Sequence, residues 1–179
     1  MADQASCPKG GWFTWSGLPQ MACQQAAWWL CVLGMDWSGP LSMAAFVVLH
    51  LMMVPRPLVG GELRLIGISA VVGLCLDSAL AWSGMVIYEG GPLIGLSPLW
   101  LVSIWAGFGA TLRHSQSILM RGRVHATITG AVGGPLAYMG GTRLEALSVH
   151  GSMGYAAVGA LWLLAMLTLE RFVRAEERR

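Results

Sequence analysis

The residues that could do chemistry in this chain are an aspartate inside an apolar stretch and a short polar run later on. Asp77 interrupts one apolar stretch, and Arg113, His114 and Ser115 lie near the end of another. An ionised carboxylate in apolar surroundings is costly, so Asp77 must face protein, water or a partner. A histidine can exchange protons near neutral pH, and an arginine beside it can bind a phosphate. Asp77 is therefore a candidate proton relay, cation site or general base, or else a helix–helix anchor.

The motifs predict no metal centre and no cofactor. The sequence has 4 histidines but none of the short spacings, such as HxxxH, that diiron membrane enzymes use. It also lacks a GxSxG nucleophile elbow, a phosphate-binding loop and a dinucleotide fingerprint. No catalytic motif is recognisable, so the sequence leaves open whether the protein is an enzyme.

Composition places the chain in a membrane. Of its 179 residues, 55% are hydrophobic and only 11% are charged, against roughly 25% charged in a typical soluble domain. The mean hydropathy is +0.61. No basic patch with interleaved aromatic residues occurs, which argues against nucleic-acid binding.

Six apolar stretches with short loops account for nearly the whole length, since a membrane span needs about 20 largely apolar residues. The sequence predicts an all-α membrane protein, a compact bundle of six transmembrane helices. The predicted spans are approximately 18–35, 41–54, 63–88, 98–119, 124–141 and 153–173. They form one domain, 18–173, between a short N-terminal segment, 1–17, and a charged tail, 174–179.

The basic residues predict the orientation of this bundle. With six crossings, 10 of the 11 basic residues fall on one side, and only Arg143 lies opposite. Basic residues close to helix ends resist translocation, so this side and both termini are expected to be cytoplasmic. The ten are Lys9, Arg56, Arg64, Arg113, Arg121, Arg123, Arg171, Arg174, Arg178 and Arg179.

Small residues predict how the helices pack. Membrane helices associate through faces of small residues that let their backbones approach. The fifth span has such a face, and the third span has a related one, so we expect the two to pack together. The predicted packing positions are Gly73, Gly130, Gly134, Ala137 and Gly141. Pro135 removes one backbone hydrogen bond from the fifth span and should loosen the helix there.

Three stretches, 73–78, 98–115 and 130–141, resemble an uncharacterised bacterial family of inner-membrane proteins, a domain of unknown function. The family commonly has asparagine where this chain has Arg113, which favours His114 as the functional residue. Its genes often lie near those of cyclopropane-fatty-acid-synthase-like methyltransferases, which implies a connection with lipids. The resemblance implies recurrent positions at Asp77, Ser78, Trp100, Trp105, His114, Ser115, Gly134, Pro135 and Tyr138.

Together these features predict a polar, ligand-binding cavity in the bundle, and they leave open whether Asp77 pairs with Arg113 or His114. The leading hypothesis is an accessory protein for envelope-lipid or fatty-acyl modification or handling, with membrane lipids, a lipid-modifying enzyme or a second copy as partners. One alternative is a small-solute transporter with a proton or cation site at Asp77, and another is a structural subunit of a membrane complex. The predicted lining residues are Asp77, Ser78, Arg113, His114, Ser115, Pro135 and Tyr138.

Overall fold

A computed structural model describes residues 17–90 and 97–178 of the chain. The described residues form helices in the order in which the apolar stretches occur, and two short strands. The helices are α1 Leu18–Gly34, α2 Ser38–Met53, α3 Val59–Trp82, α4 Leu99–Thr111, α5 Arg123–Ile128, α6 Gly134–Arg143 and α7 Gly151–Glu177. The strands are β1 Val86–Tyr88 and β2 Leu147–Val149. Short 3-10 turns cover Arg56–Leu58 and Ser117–Met120.

The predicted helical class is confirmed. A π-helical turn, Thr129–Gly133, joins α5 to α6, so the two form one continuous segment and the described chain has six helical segments in all. The turn ends two residues before Pro135, where the sequence predicts a loosened helix. Proline has no N–H to donate to the preceding turn, so the regular bonding pattern cannot continue through this position.

Two helices are long and apolar enough to cross a membrane. They run over Arg56–Trp82 and Gly151–Glu177, with 27 residues each, which corresponds to about 40 Å at a rise of ~1.5 Å per residue. The helices Ser38–Met53 and Leu99–Thr111 are apolar but shorter. Six crossings and the side on which the termini lie remain predictions.

Two predicted boundaries are wrong. The third segment ends at Trp82 rather than near Tyr88, because Gly84 adopts a left-handed backbone with φ +70° and turns the chain into β1. The fourth ends at Thr111 rather than near Leu119. After Thr111 the chain forms turns, in which the backbone N–H groups of His114 and Gln116 both donate to the carbonyl of Thr111.

The two strands form an antiparallel ribbon that the sequence pattern does not predict. Val86 pairs with Val149, and Tyr88 pairs with Leu147. The ribbon ties the end of α3 to the connection between α6 and α7. We call this end of the bundle the ribbon end.

The opposite end of the bundle carries nearly all the described basic residues, and we call it the basic end. Arg64, near the start of α3, forms an ion pair with Glu176, near the end of α7, at 3.4 Å. Of the described arginines, Arg143 alone lies at the ribbon end, as the last residue of α6. The segregation of charge expected from the sequence is thus present in the folded chain.

The small residues of the fifth segment pack against α7, which corrects the expected pairing with α3. Gly130 lies against the backbone of Leu163, and Gly134 lies against the ring of Trp162. A side chain at either position would overlap these neighbours. Of the other predicted packing positions in this segment, Gly141 contacts Leu147, whereas Ala137 is exposed.

Gly73 of α3 packs instead against α4. A Cβ atom at this position would overlap the indole ring of Trp105, so the ring lies directly on the helix backbone. The same indole donates a hydrogen bond to Asp77. The missing side chain at Gly73 therefore determines where that donor lies.

We predict that Gly73→Ala is destabilising, because the added methyl group must displace Trp105. Overpacking of this kind typically costs about 1–3 kcal/mol. Gly67→Ala on the same helix is the matched control, since nothing lies within 4 Å of a Cβ there. Denaturant unfolding in detergent, followed by tryptophan fluorescence, measures both variants. Equal stabilities for the two variants would contradict the packing described for Gly73.

Candidate functional site

Two buried carboxylates lie at opposite ends of α3. Glu62 is in the first turn of the helix and Asp77 is near its last. Fifteen residues separate them, which corresponds to about 22 Å along the helix axis. Glu62 is 1% exposed and Asp77 is 0% exposed. The bundle therefore contains two separate polar centres, the Glu62 centre at the basic end and the Asp77 centre towards the ribbon end.

Three hydrogen-bond donors surround Asp77. The indole Nε1–H of Trp105 donates to Oδ2 at 2.9 Å. The hydroxyl of Tyr138 donates to Oδ1, and that of Tyr88 lies 3.3 Å from the same oxygen. The two tyrosine hydroxyls are 3.1 Å apart. The carboxylate thus connects α3 to α4, α6 and β1.

Uncharged hydrogen-bond donors, rather than cations, stabilise the Asp77 carboxylate. No ion pair to Asp77 occurs among residues 17–90 and 97–178. Buried carboxylates are tolerated where hydrogen bonds replace those lost from water. The two hydroxyls and the carboxyl group also form a continuous path along which a proton could move. The centre is chemically able both to anchor helices and to relay a proton.

Glu62 is surrounded mainly by cationic or ionisable groups. Its Oε1 lies 3.3 Å from Nη1 of Arg113 and 3.1 Å from Nε2 of His114. Its Oε2 lies 3.3 Å from Nε2 of His50. The charge of Arg113 compensates that of the carboxylate, which makes the burial of Glu62 tolerable. This centre joins the start of α3 to the end of α2 and to the turn that follows α4.

A glutamine determines the hydrogen-bonding state of His50. The Gln20 amide accepts from the backbone N–H of Ser115 at 3.0 Å, and its Nε2 donates to the carbonyl of Ala110 at 3.1 Å. Because one partner is a donor and the other an acceptor, they determine which terminal atom of the amide is oxygen and which is nitrogen. The same Nε2 lies 3.0 Å from Nδ1 of His50. Nδ1 must then accept, so the ring proton is on Nε2, which faces Glu62.

The Glu62 centre contains residue types that bind metals, but the hydrogen bonds around His50 do not orient its ring as in a metal site. Among the described residues, one atom each from His50, Glu62 and His114 lie within 4.8 Å of one another. A metal-binding histidine usually donates its second ring N–H to an acceptor. The Gln20 amide instead offers His50 a donor, and the guanidinium of Arg113 already lies against Glu62. The arrangement fits a hydrogen-bonded ion network better than a metal.

The structure divides the predicted cavity between these centres. Asp77 and Tyr138 are in contact. Arg113 and His114 both contact Glu62 rather than Asp77. Ser115 joins the Glu62 centre through its backbone N–H.

The remaining two predicted lining residues have packing or hydrogen-bonding contacts elsewhere. The hydroxyl of Ser78 accepts a hydrogen bond from the backbone N–H of Ser97 at 3.0 Å. Pro135 lies beside Gly159 of α7. The hydrogen bonds to the Asp77 carboxylate described above come from other residues.

Sequence reasoning missed the centre at Glu62. Glu62 comes immediately before the predicted third span, a position at which a charged residue is typically exposed to solvent. Gln20 likewise falls in the first turn of the first helix, next to Pro19. The available signal is an acidic residue in the first turn of a long apolar helix, at an end where the other charges are almost all basic.

A lateral groove runs beside the Asp77 centre. It lies between α1 and α4 on one side and α6 and α7 on the other, with a volume of about 200 Å³. Trp105 and Tyr138, which both bind Asp77, line it. Its aromatic lining comprises Trp28, Trp100, Trp105, Phe108, Tyr138 and Trp162. Gln24, Gln25 and Gln116 supply polar groups towards the basic end.

Comparison with protein families gives one match, described as "Protein of unknown function (DUF2878)", over residues 18–168. The chain belongs to this family. The match includes all residues of both polar centres and of the groove named above. Comparison with curated proteins and with solved structures finds no match.

We predict that Glu62→Ala strongly destabilises the fold, because Arg113 and the two histidines lose their shared partner. Removing one member of a buried ion pair typically costs about 3–5 kcal/mol. Glu177→Ala, an exposed acid at the same end, should change stability by less than about 0.5 kcal/mol. Denaturant titration in detergent measures both. A small loss in both variants would show that the Glu62 network does not hold the helices together.

We also expect the purified protein to contain far less than one equivalent of zinc, manganese or iron, as measured by elemental mass spectrometry after incubation with each metal. Gln20→Glu replaces the amide beside Nδ1 of His50 with a carboxylate that can accept a hydrogen bond from the ring, and this variant should bind zinc more tightly than the wild type. One tightly bound equivalent in the wild type, lost in His114→Ala, would overturn the assignment of a metal-free network.

Proposed function

We propose that this protein is an integral protein of the bacterial inner membrane that binds the apolar chain of an envelope lipid in its lateral groove. In this role it assists lipid or fatty-acyl modification or handling. The observation that carries the proposal is the groove itself, an aromatic cleft open at the side of a helical bundle. Its walls are apolar over most of their length, and its polar groups lie towards one end.

The distribution of side chains supports a membrane location. Large apolar residues point outward on several helices, including Met52 at 78% exposure, Val71 at 59% and Leu164 at 58%. Charged residues such as Glu62 and Asp77 lie inside. A soluble protein rarely exposes such extensive apolar surface, whereas lipid tails would cover it. Since basic residues stay on the cytoplasmic side, we assign the basic end to the cytoplasm.

The size and lining of the groove favour part of a hydrocarbon chain. An apolar cavity of about 150 Å³ can hold a benzene molecule, so 200 Å³ accommodates a chain segment or a ring. The side opening leaves the rest of the chain among the bilayer lipids. Gln24, Gln25 and Gln116 lie towards the basic end, where they can bond to the ester or headgroup of the ligand.

The family resemblance favours a lipid over a water-soluble substrate, since it implies gene neighbours that modify fatty acids. Transport of a small solute through Asp77 is less well supported. The carboxylate already accepts bonds from Trp105, Tyr88 and Tyr138, and a solute would have to displace at least one of them. A purely structural subunit gives no reason for a groove lined by six aromatic residues.

We predict that a photoactivatable fatty acid, incorporated into membrane phospholipids, labels residues of the groove. Ala137→Trp should reduce this labelling severalfold, because an indole at this lining position fills the cleft. Leu136→Trp is the control, since the neighbouring Leu136 is 59% exposed and does not line the groove. Peptide mass spectrometry after irradiation locates and quantifies the label.

Labelling spread evenly over the apolar exterior, and unchanged in Ala137→Trp, would refute binding in the groove. The same variants test the accessory role in cells. A strain carrying Ala137→Trp should reproduce the fatty-acyl profile of a deletion strain, whereas Leu136→Trp should not. Deletion without any change in this profile would argue against a role in lipid modification.

A further inference from the structure

A second concave surface lies at the basic end and shares no lining residue with either polar centre or with the groove. It has a volume of about 490 Å³ and is lined by Arg123, Glu170, Arg171, Arg174 and Arg178. All four arginines are exposed, whereas Glu170 is buried. Four positive charges and one negative charge leave a formal charge of +3 on this surface, which we call the arginine concavity.

The fold brings these arginines together from two helices. Arg171, Arg174 and Arg178 follow one another at spacings of three and four residues on α7, which places them on one face. Arg123 begins α5, and this segment packs on α7 through the contact of Gly130 with Leu163. The cluster is therefore a product of tertiary packing as well as of helical spacing.

The arginine concavity has more positive charge than its acid can compensate. Glu170 forms an ion pair with Arg174. For the other three arginines, no ion pair occurs within the part of the chain that the structure describes. Elsewhere at the basic end, Arg64 is paired with Glu176 and Arg113 with Glu62. Like charges that line one concavity repel one another, so an anion bound between them would be stabilising.

We propose that the arginine concavity binds the phosphate of an anionic phospholipid. Guanidinium groups match the geometry of phosphate oxygens and bind them through paired hydrogen bonds. The concavity lies at the end of α7, one of the two helices long enough to cross a membrane. Basic pockets at this level, between helices on the cytoplasmic side, are suited to lipid headgroups. The proposal relies on the membrane location proposed above but not on occupancy of the groove.

The test compares phosphatidylglycerol with phosphatidylcholine as lipids retained by the purified protein, quantified by native mass spectrometry. We expect the wild type to prefer phosphatidylglycerol. The double variant Arg171→Gln/Arg178→Gln should bind it roughly 30-fold more weakly, since each arginine near an anionic bilayer contributes a factor of about five. Neither residue pairs with Glu170, and both are exposed, so the variant is expected to fold; thermal unfolding in detergent checks this.

The control is Arg56→Gln/Arg121→Gln, which removes the same charge from exposed positions at the same end that, like Arg171 and Arg178, form no ion pair within the described residues. An equal loss of phosphatidylglycerol in both double variants would overturn the proposal, because only the total charge would then matter. Equal retention of the two lipids by the wild type would overturn it as well. Inorganic phosphate added at millimolar concentration distinguishes the two sources of the anion, and displacement of the lipid by phosphate alone would overturn a preference for the lipid.

Vesicle flotation separates this proposal from the proposed function. An integral protein remains with phosphatidylcholine vesicles after a high-salt wash, whether or not the arginine concavity binds a headgroup. Release from these vesicles would refute the membrane location and, with it, both proposals. Retention without a preference for phosphatidylglycerol would refute only the headgroup site.

Discussion

The burial of two carboxylates on one helix constrains how α2, α4, α6 and β1 are placed around it. An acid removed from water needs donors in fixed positions, and α3 can supply none from its own backbone. For Asp77 the donors come from Trp105, Tyr88 and Tyr138, and for Glu62 the partners come from His50, Arg113 and His114. These hydrogen bonds and ion pairs are directional, so together with the packing of small residues they select one arrangement of the helices.

The two centres compensate charge in different ways, and this difference follows from their positions. The Glu62 centre lies at the basic end, where Arg113 is 17% exposed and can share its charge with water. The Asp77 centre lies deeper along α3 and relies on neutral hydroxyl and indole donors. Neutral donors suit the deeper Asp77 centre, because a cation without access to water would itself be costly to bury.

The groove depends on the Asp77 centre. Trp105 and Tyr138 each bind the carboxylate on one side and line the groove on another. Gly73 admits the Trp105 ring against α3, and Gly134 admits Trp162 against the fifth segment. Small residues and a buried acid thus hold large aromatic rings in place, and the rings give the groove its apolar walls.

The sequence by itself determined the helical class, the order of the helical segments and the collection of arginines at one end. These properties depend on the local apolar pattern and on where charges interrupt it, so they need no knowledge of contacts between distant residues. It also indicated Asp77, because a carboxylate in an apolar stretch must find a partner, whereas Tyr138 was implied by the family resemblance. The sequence likewise predicted a disrupted helix near Pro135, since proline removes a hydrogen bond from the helix in which it lies.

Only the tertiary structure decided which groups meet. Glu62, Gln20 and His50 come from three different helices, and no local pattern shows that the Gln20 amide orients the imidazole that faces Glu62. The pairing of Arg113 and His114 with Glu62 instead of Asp77 depends on where α4 ends. The meeting of Arg123 with the arginines of α7 depends on the packing of Gly130. Each of these contacts joins residues far apart in the chain, and their distances are set by how the helices pack.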